Sequence, residues 1–159
     1  MGDFIIRPAA PQDVPLILAF IRELAEYEKL SDQVTASEEI LVEWLFKKQK
    51  AEVLIGELDG QSVGYALFFY NFSTFLGRAG IYIEDIFVRP AFRKKGYGKA
   101  FFKYLAGLCH QRGCGRLEWA CLDWNKPSIK FYLSLGAQPL NEWTVYRLGG
   151  DEIKRLAEG

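Results

Sequence analysis

Residues 80–102 read GIYIEDIFVRPAFRKKGYGKAFF. Gly80 to Val88 is dominated by β-branched and aromatic residues and predicts a central strand. After a Pro-containing turn, Phe101, Leu105 and Leu108 recur at helical spacing and predict a long helix that ends near Gly113. Between the two lie Arg93, Lys94, Lys95 and Lys99 together with Gly96 and Gly98, where the helix should begin. Glycine weakens a helix and neighbouring like charges repel, so the composition needs a reason. An ordinary solvated loop is one. An anion is the other, because the first turn of a helix presents unpaired N–H groups and a partial positive charge. Gly96 and Gly98 would then remove Cβ atoms that keep phosphate oxygens from the backbone. The spacing is neither that of a dinucleotide fingerprint nor that of a Walker A loop.

On the N-terminal side, Phe4 to Ala9 predicts a first strand ended by Pro8. Val14, Ile17, Leu18, Ile21 and Leu24 predict an amphipathic helix over Pro11 to Lys29. Thr35 with Glu38 has capping-box spacing ahead of Ile40, Leu41, Trp44 and Leu45, a second helix. AEVLIGEL and QSVGYALFFYNF flank Asp59-Gly60 and predict a hairpin. On the C-terminal side RLEWACL predicts a strand and KPSIKFYLSLG a short helix, with Pro127 near its start and Gly136 just past its end. EWTVYRL, Glu142 to Leu148, predicts a last strand, and 151–157 a terminal helix. The order predicts a mixed α/β fold in one domain, 1–159, with hairpins first and a βαβ crossover later. The hairpins argue against a pure doubly wound parallel sheet.

The 159 residues carry 20 basic and 20 acidic side chains, so the formal net charge is +0. That balance argues against nucleic acid as a partner and makes the cations of 93–99 a local feature. No apolar run is long enough to span a membrane, and the N-terminus lacks the pattern of a signal peptide; a cytoplasmic location is expected. Cys109, Cys114, Cys121 and the single His110 have neither disulfide-framework nor zinc-site spacing, so no metal is expected.

Arg-x-x-Gly-x-Gly, Arg93 to Gly98, after a strand ending IFV resembles motif A of the GCN5-related N-acetyltransferases (GNAT). Other pieces follow in that family's order. IRPA with Asp13 resembles its opening strand and turn, YIEDIFV its fourth strand, LDWNKPSIKFYLSLGA its motif B, and EWTVYRL takes the place of its last strand. IRELAEYEKLSDQV, with GIYIEDIFV and motif B, looks like the diamine acetyltransferase branch, which includes spermidine/spermine enzymes and relatives acting on the lysine analogue thialysine.

The resemblance implies a GNAT fold, a mostly antiparallel mixed sheet with helices on both faces. It implies acetyl-coenzyme A as co-substrate, held by Arg93, Lys94, Lys95, Gly96, Tyr97, Gly98 and Lys99 in the turn and by the backbone of Ile86, Phe87 and Val88 at a splayed strand edge. Asn125, Ser128 and Phe131 of motif B would line the coenzyme channel, although Asn125 also suits a plain helix N-cap. Members of this branch are commonly homodimers.

Forming an amide from a thioester needs a neutral amine, yet an amine with a pKa of about 10.4 is only about one part in a thousand neutral near pH 7.4. Glu84 and Asp85 interrupt an apolar strand, a costly place for carboxylates unless they are used. Adjacent strand positions point to opposite faces, so at most one of the two is expected to face the amine. The resemblance implies Glu84 as the base, acting through water, and Tyr132 as the acid that protonates the departing thiolate. It also implies that Tyr27 and Glu28 touch a small cationic amine, with Asp85 and Glu142 as further acidic lining. Acetylation of protein lysines or N-termini, and a non-catalytic acyl-coenzyme A-binding module, are the alternative readings.

Overall fold

The structure, a computed structural model, describes residues 2–159. The chain separates into two compact units, the first ending at Leu122 and the second running Asp123–Gly159. In the first unit, strands β1 (Phe4–Pro8), β2 (Glu52–Leu58), β3 (Gln61–Ser73), β4 (Arg78–Val88) and β5 (Leu117–Trp119) form one sheet in that order. The pairs β1–β2, β2–β3 and β3–β4 are antiparallel, and β4–β5 is parallel. The parallel pair is closed by helix α3 (Tyr97–Gln111), the predicted βαβ crossover.

Helix α1 (Val14–Tyr27) lies on one face of the sheet. Its Val14, Ile17 and Phe20 form a core with Val53, Ile55, Tyr65 and Phe87. The α3 side chains Phe101 and Phe102 meet Phe4 and Trp119, with ring centroids 6.0 Å and 4.8 Å apart. The expected mixed sheet between helices is therefore present. The IRPA…Asp13 pattern also acquires a physical reason. Arg7 donates to both Asp13 oxygens at 2.8 and 2.9 Å and to Glu57 at 2.7 Å, while Asp13 accepts the Ala10 N–H at 2.7 Å. One bidentate pair thus fixes where β1 ends and where α1 begins.

Gly64 on β3 sits opposite Val88 at the end of β4, and a Cβ there would run into the Phe87 carbonyl oxygen. The absence of a side chain allows the two strands to approach at this point. Gly64→Ala is expected to destabilise the fold by about 1–3 kcal/mol through overpacking. Urea unfolding checks this, and an unchanged midpoint would refute it.

Three elements differ from expectation. The second helix is capped by Ser37, not Thr35. Ser37 has extended backbone and its hydroxyl accepts from the Ile40 N–H at 3.2 Å. After α2 (Glu38–Leu41) the chain continues as a π-helical turn over Val42–Lys47. The strand predicted from RLEWACL is confined to Leu117–Trp119. The predicted last strand, Glu142 to Leu148, is absent. In the second unit, α4 (Lys126–Ser134) and α5 (Gly150–Glu158) are helices, and Glu142 lies in a turn between them, followed by irregular, exposed chain. Alternating apolar residues favour a strand only when a neighbouring backbone takes the hydrogen bonds. Among the described residues the sheet contains no strand beyond β5.

Candidate active site

The register of β3 against β4 breaks where the two carboxylates lie. Leu67 pairs with Asp85, but the next residue, Phe68, pairs with Ile83, leaving Glu84 as the extra residue. Such a β-bulge re-aims side chains and interrupts strict alternation. Before it, Ile81 and Ile83 share the face of Tyr70 and Phe68; after it, Asp85 and Phe87 share the opposite face, with Leu67 and Tyr65. Strict alternation, the premise for placing Glu84 and Asp85 on opposite faces, does not hold through a bulge, where Glu84 has no partner in the β3 ladder. Burial first, and then the charges of Asp85 and Glu84, push the Glu28 carboxyl above its ordinary range. Glu28 caps the C-terminus of α1, so helix end and strand bulge bring three acids together.

Asp85 is held from β3. The fully buried Tyr65 hydroxyl donates to Asp85 Oδ2 at 2.6 Å. Burial raises the Asp85 carboxyl, and this hydrogen bond opposes the rise. Tyr65 is itself pushed well above the usual phenol range, first by burial and then by the Asp85 charge, so its proton is firmly held. Its ring stacks on Phe20, with centroids 5.1 Å apart.

Beyond the bulge, β4 is paired with β3 but, among the described residues, not with β5. On the β3 side Ile86, Phe87 and Val88 pair with Ala66, Tyr65 and Gly64. On the β5 side the ladder covers Ile81, Ile83 and the residue between them, and among the described residues it does not reach Glu84 to Val88. β4 and β5 therefore part just where the fold resemblance expects an added strand-like ligand.

In the turn, Lys94 and Gly96 both have left-handed backbone, with φ of 64° and 85°. Gly96 is the N-cap of α3, no side chain caps that end, and a Cβ on Gly96 would meet open space. Left-handed backbone is the more direct reason for glycine at this position. Lys94, Lys95 and Lys99 are exposed around it. Arg93 is used inside the protein: its Nε donates to the Val88 carbonyl at 2.8 Å, and its guanidinium lies 4.7 Å from the Tyr27 ring centre and 5.4 Å from that of Phe87. Tyr27 thus already stacks on a cation, and Tyr97 stacks on Phe4 at 4.3 Å. Gly98 and Lys99 occupy the first turn of α3.

In the second unit, Asn125 is the buried N-cap of α4, and its Oδ1 accepts the Ser128 N–H at 3.4 Å. The cap reading of Asn125 therefore applies. Phe131 and Tyr132 lie side by side on α4, with ring centroids 5.7 Å apart, and Glu142 is exposed in the turn that follows.

Residues 18–137 match the model of the acetyltransferase (GNAT) family. The chain belongs to that family. Among its relatives is a thialysine N-epsilon-acetyltransferase of Bos taurus, 43% identical with 99% of each chain covered. An L-ornithine N5-acetyltransferase of Arabidopsis thaliana is 31% identical over 95% of this chain and 86% of that one. Among solved structures, an integron cassette protein from the mobile metagenome of V. cholerae superposes with a TM-score of 0.83 at 27% identity, covering 100% of this chain and 99% of that one.

The GNAT chain is accordingly an acyltransferase, of a family that uses acetyl-coenzyme A as co-substrate. The α3 start without a side-chain cap, the open space at Gly96, the three exposed lysines and the β4 edge that β5 leaves unpaired fit such a ligand. Sequence reasoning missed Tyr65 and the bulge. A tyrosine in an apolar strand reads as core, and a register shift has no local signature.

Proposed function

We propose that this GNAT enzyme transfers the acetyl group of acetyl-coenzyme A to a primary amine of a small cationic substrate: a diamine, a polyamine or a lysine-like amino acid such as thialysine. The gathering of Glu28, Glu84 and Asp85 at the bulge supports this reading most, since a small polycation needs concentrated negative charge. Similarity to thialysine and ornithine acetyltransferases along nearly the whole chain points the same way.

Acetyl-coenzyme A supplies the activated thioester. The first turn of α3 from Gly96, with Lys94, Lys95 and Lys99, receives its phosphates, and the backbone of Ile86 to Val88 aligns its pantetheine arm. Glu84 takes a proton from the amine through water; Glu28, Asp85 and Tyr27 hold the cation. Tyr132 returns a proton to the departing thiolate, and no metal takes part. Phe131, Asn125 and Ser128 shape the part of the channel contributed by motif B.

The test is a screen of diamines, polyamines, lysine analogues and peptides, read by free thiol release. Turnover with small diamines or thialysine but not peptides is expected. Turnover confined to peptides would overturn the substrate class, and coenzyme binding without turnover on any amine would overturn the activity. We further propose a homodimer, supported by the exposure of Trp143, Val145 and Tyr146 at 79%, 85% and 91%. Light scattering should return twice the chain mass of 18.2 kDa; a monomer at micromolar concentration would refute it.

A further inference from the structure

Tyr65 has no counterpart among the expected site residues, yet it reaches the acidic cluster from inside the sheet. It is fully buried, its ring is fixed by Phe20 with an interplanar angle of 4°, and its register opposite Phe87 places it two pairs from Asp85, on the same face of the sheet. The only heteroatom it carries into this apolar core is committed to Asp85 Oδ2 at 2.6 Å. A buried phenylalanine would pack there at no polar cost, so the hydroxyl requires a reason.

We propose that Tyr65 is the positioning residue of the amine site: it fixes the Asp85 carboxylate in one orientation, with one oxygen engaged and the other left to the substrate ammonium. This rests on the proposed amine acetylation. A rigid aromatic donor in the core orients a carboxylate better than water does, because its two torsions are already set by packing. It also preserves the charge the site needs. Burial favours protonated Asp85, and the Tyr65 hydrogen bond favours the ionised form. Among the described residues, Glu28 at the end of α1 and Glu84 beside Asp85 on β4 add two further carboxylates, while the Arg93 guanidinium lies across Tyr27 and Phe87. The Tyr65 hydroxyl thus counters the push of burial toward protonated Asp85. A sheet with a phenylalanine at this position would present a more mobile and more readily neutralised carboxylate.

A double-mutant cycle of Tyr65→Phe and Asp85→Asn tests this, with putrescine and thialysine binding measured by calorimetry in the presence of coenzyme A, and turnover measured separately. Tyr65→Phe should weaken amine binding about tenfold or more at neutral pH, leave coenzyme A affinity unchanged, and move the acid limb of amine binding up by about one pH unit. In the Asp85→Asn background the same change should cost less than about twofold. Equal effects in both backgrounds, an unmoved acid limb, or unchanged amine affinity in Asp85→Asn alone would each overturn the inference. The last comparison decides even if Tyr65→Phe does not fold. Coupled amine binding without turnover would sink the proposed function and leave Tyr65 standing; turnover with no coupling would do the reverse.

Discussion

Tyr132→Phe should lower kcat by about 10²-fold or more, with acetyl-coenzyme A affinity nearly intact. A thiolate leaving group whose conjugate acid has a pKa of about 8.5 departs more readily when a proton arrives with it, and a phenol of pKa near 10 is fully protonated at neutral pH. Phenylalanine keeps the ring beside Phe131 and removes only the proton donor. The loss should therefore fall on the chemical step rather than on binding. Stopped assays with saturating coenzyme separate the two. An unchanged kcat would remove Tyr132 from the mechanism, and a loss confined to the KM for coenzyme would make it a wall of the channel.

The parts of the fold set by local chemistry were legible in the sequence. Asp59 and Gly60 both take positive φ, 52° and 78°, and join β2 to β3 as a two-residue hairpin should. The spacing of Phe101 and Leu105 gave the buried face of α3, and Gly96 its start. Features that depend on a distant partner were not legible. Thr35 and Ser37 both have cap chemistry, and the choice between them is made by where the backbone leaves its extended form. Glu142 to Leu148 alternates like a strand, but pairing is a property of two segments. The bulge at Glu84 is a matter of register between strands that each look regular alone. This matters for the site itself: adjacency in sequence argued that at most one of Glu84 and Asp85 faces the amine, an argument that needs the strict alternation a bulge interrupts, and both charges raise the Glu28 carboxyl.

Glu84→Gln should reduce kcat/KM at neutral pH by about 10²-fold, and the size of the deficit should depend on pH in a way that assigns the role. If Glu84 accepts the amine proton through water, the variant must wait for amine that is already neutral. That fraction grows about tenfold per pH unit until the amine pKa of about 10.4 is approached. The variant's rate should therefore climb with a slope near one on a logarithmic scale, while the wild type flattens earlier, and the gap should narrow at high pH. A carboxylate that only attracted the cation would behave otherwise: its loss would raise the KM for the amine by a factor that stays the same as pH rises toward the amine pKa. Removing the Glu84 charge also lifts one of the two repulsions on Glu28, the other being Asp85, so Glu28 should ionise at lower pH in the variant. Substrate attraction is thereby partly retained when the base is lost, which is why the effect is expected in the slope. A parallel pH profile for variant and wild type would exclude Glu84 as the base and leave it a cation-holding group with Glu28 and Asp85.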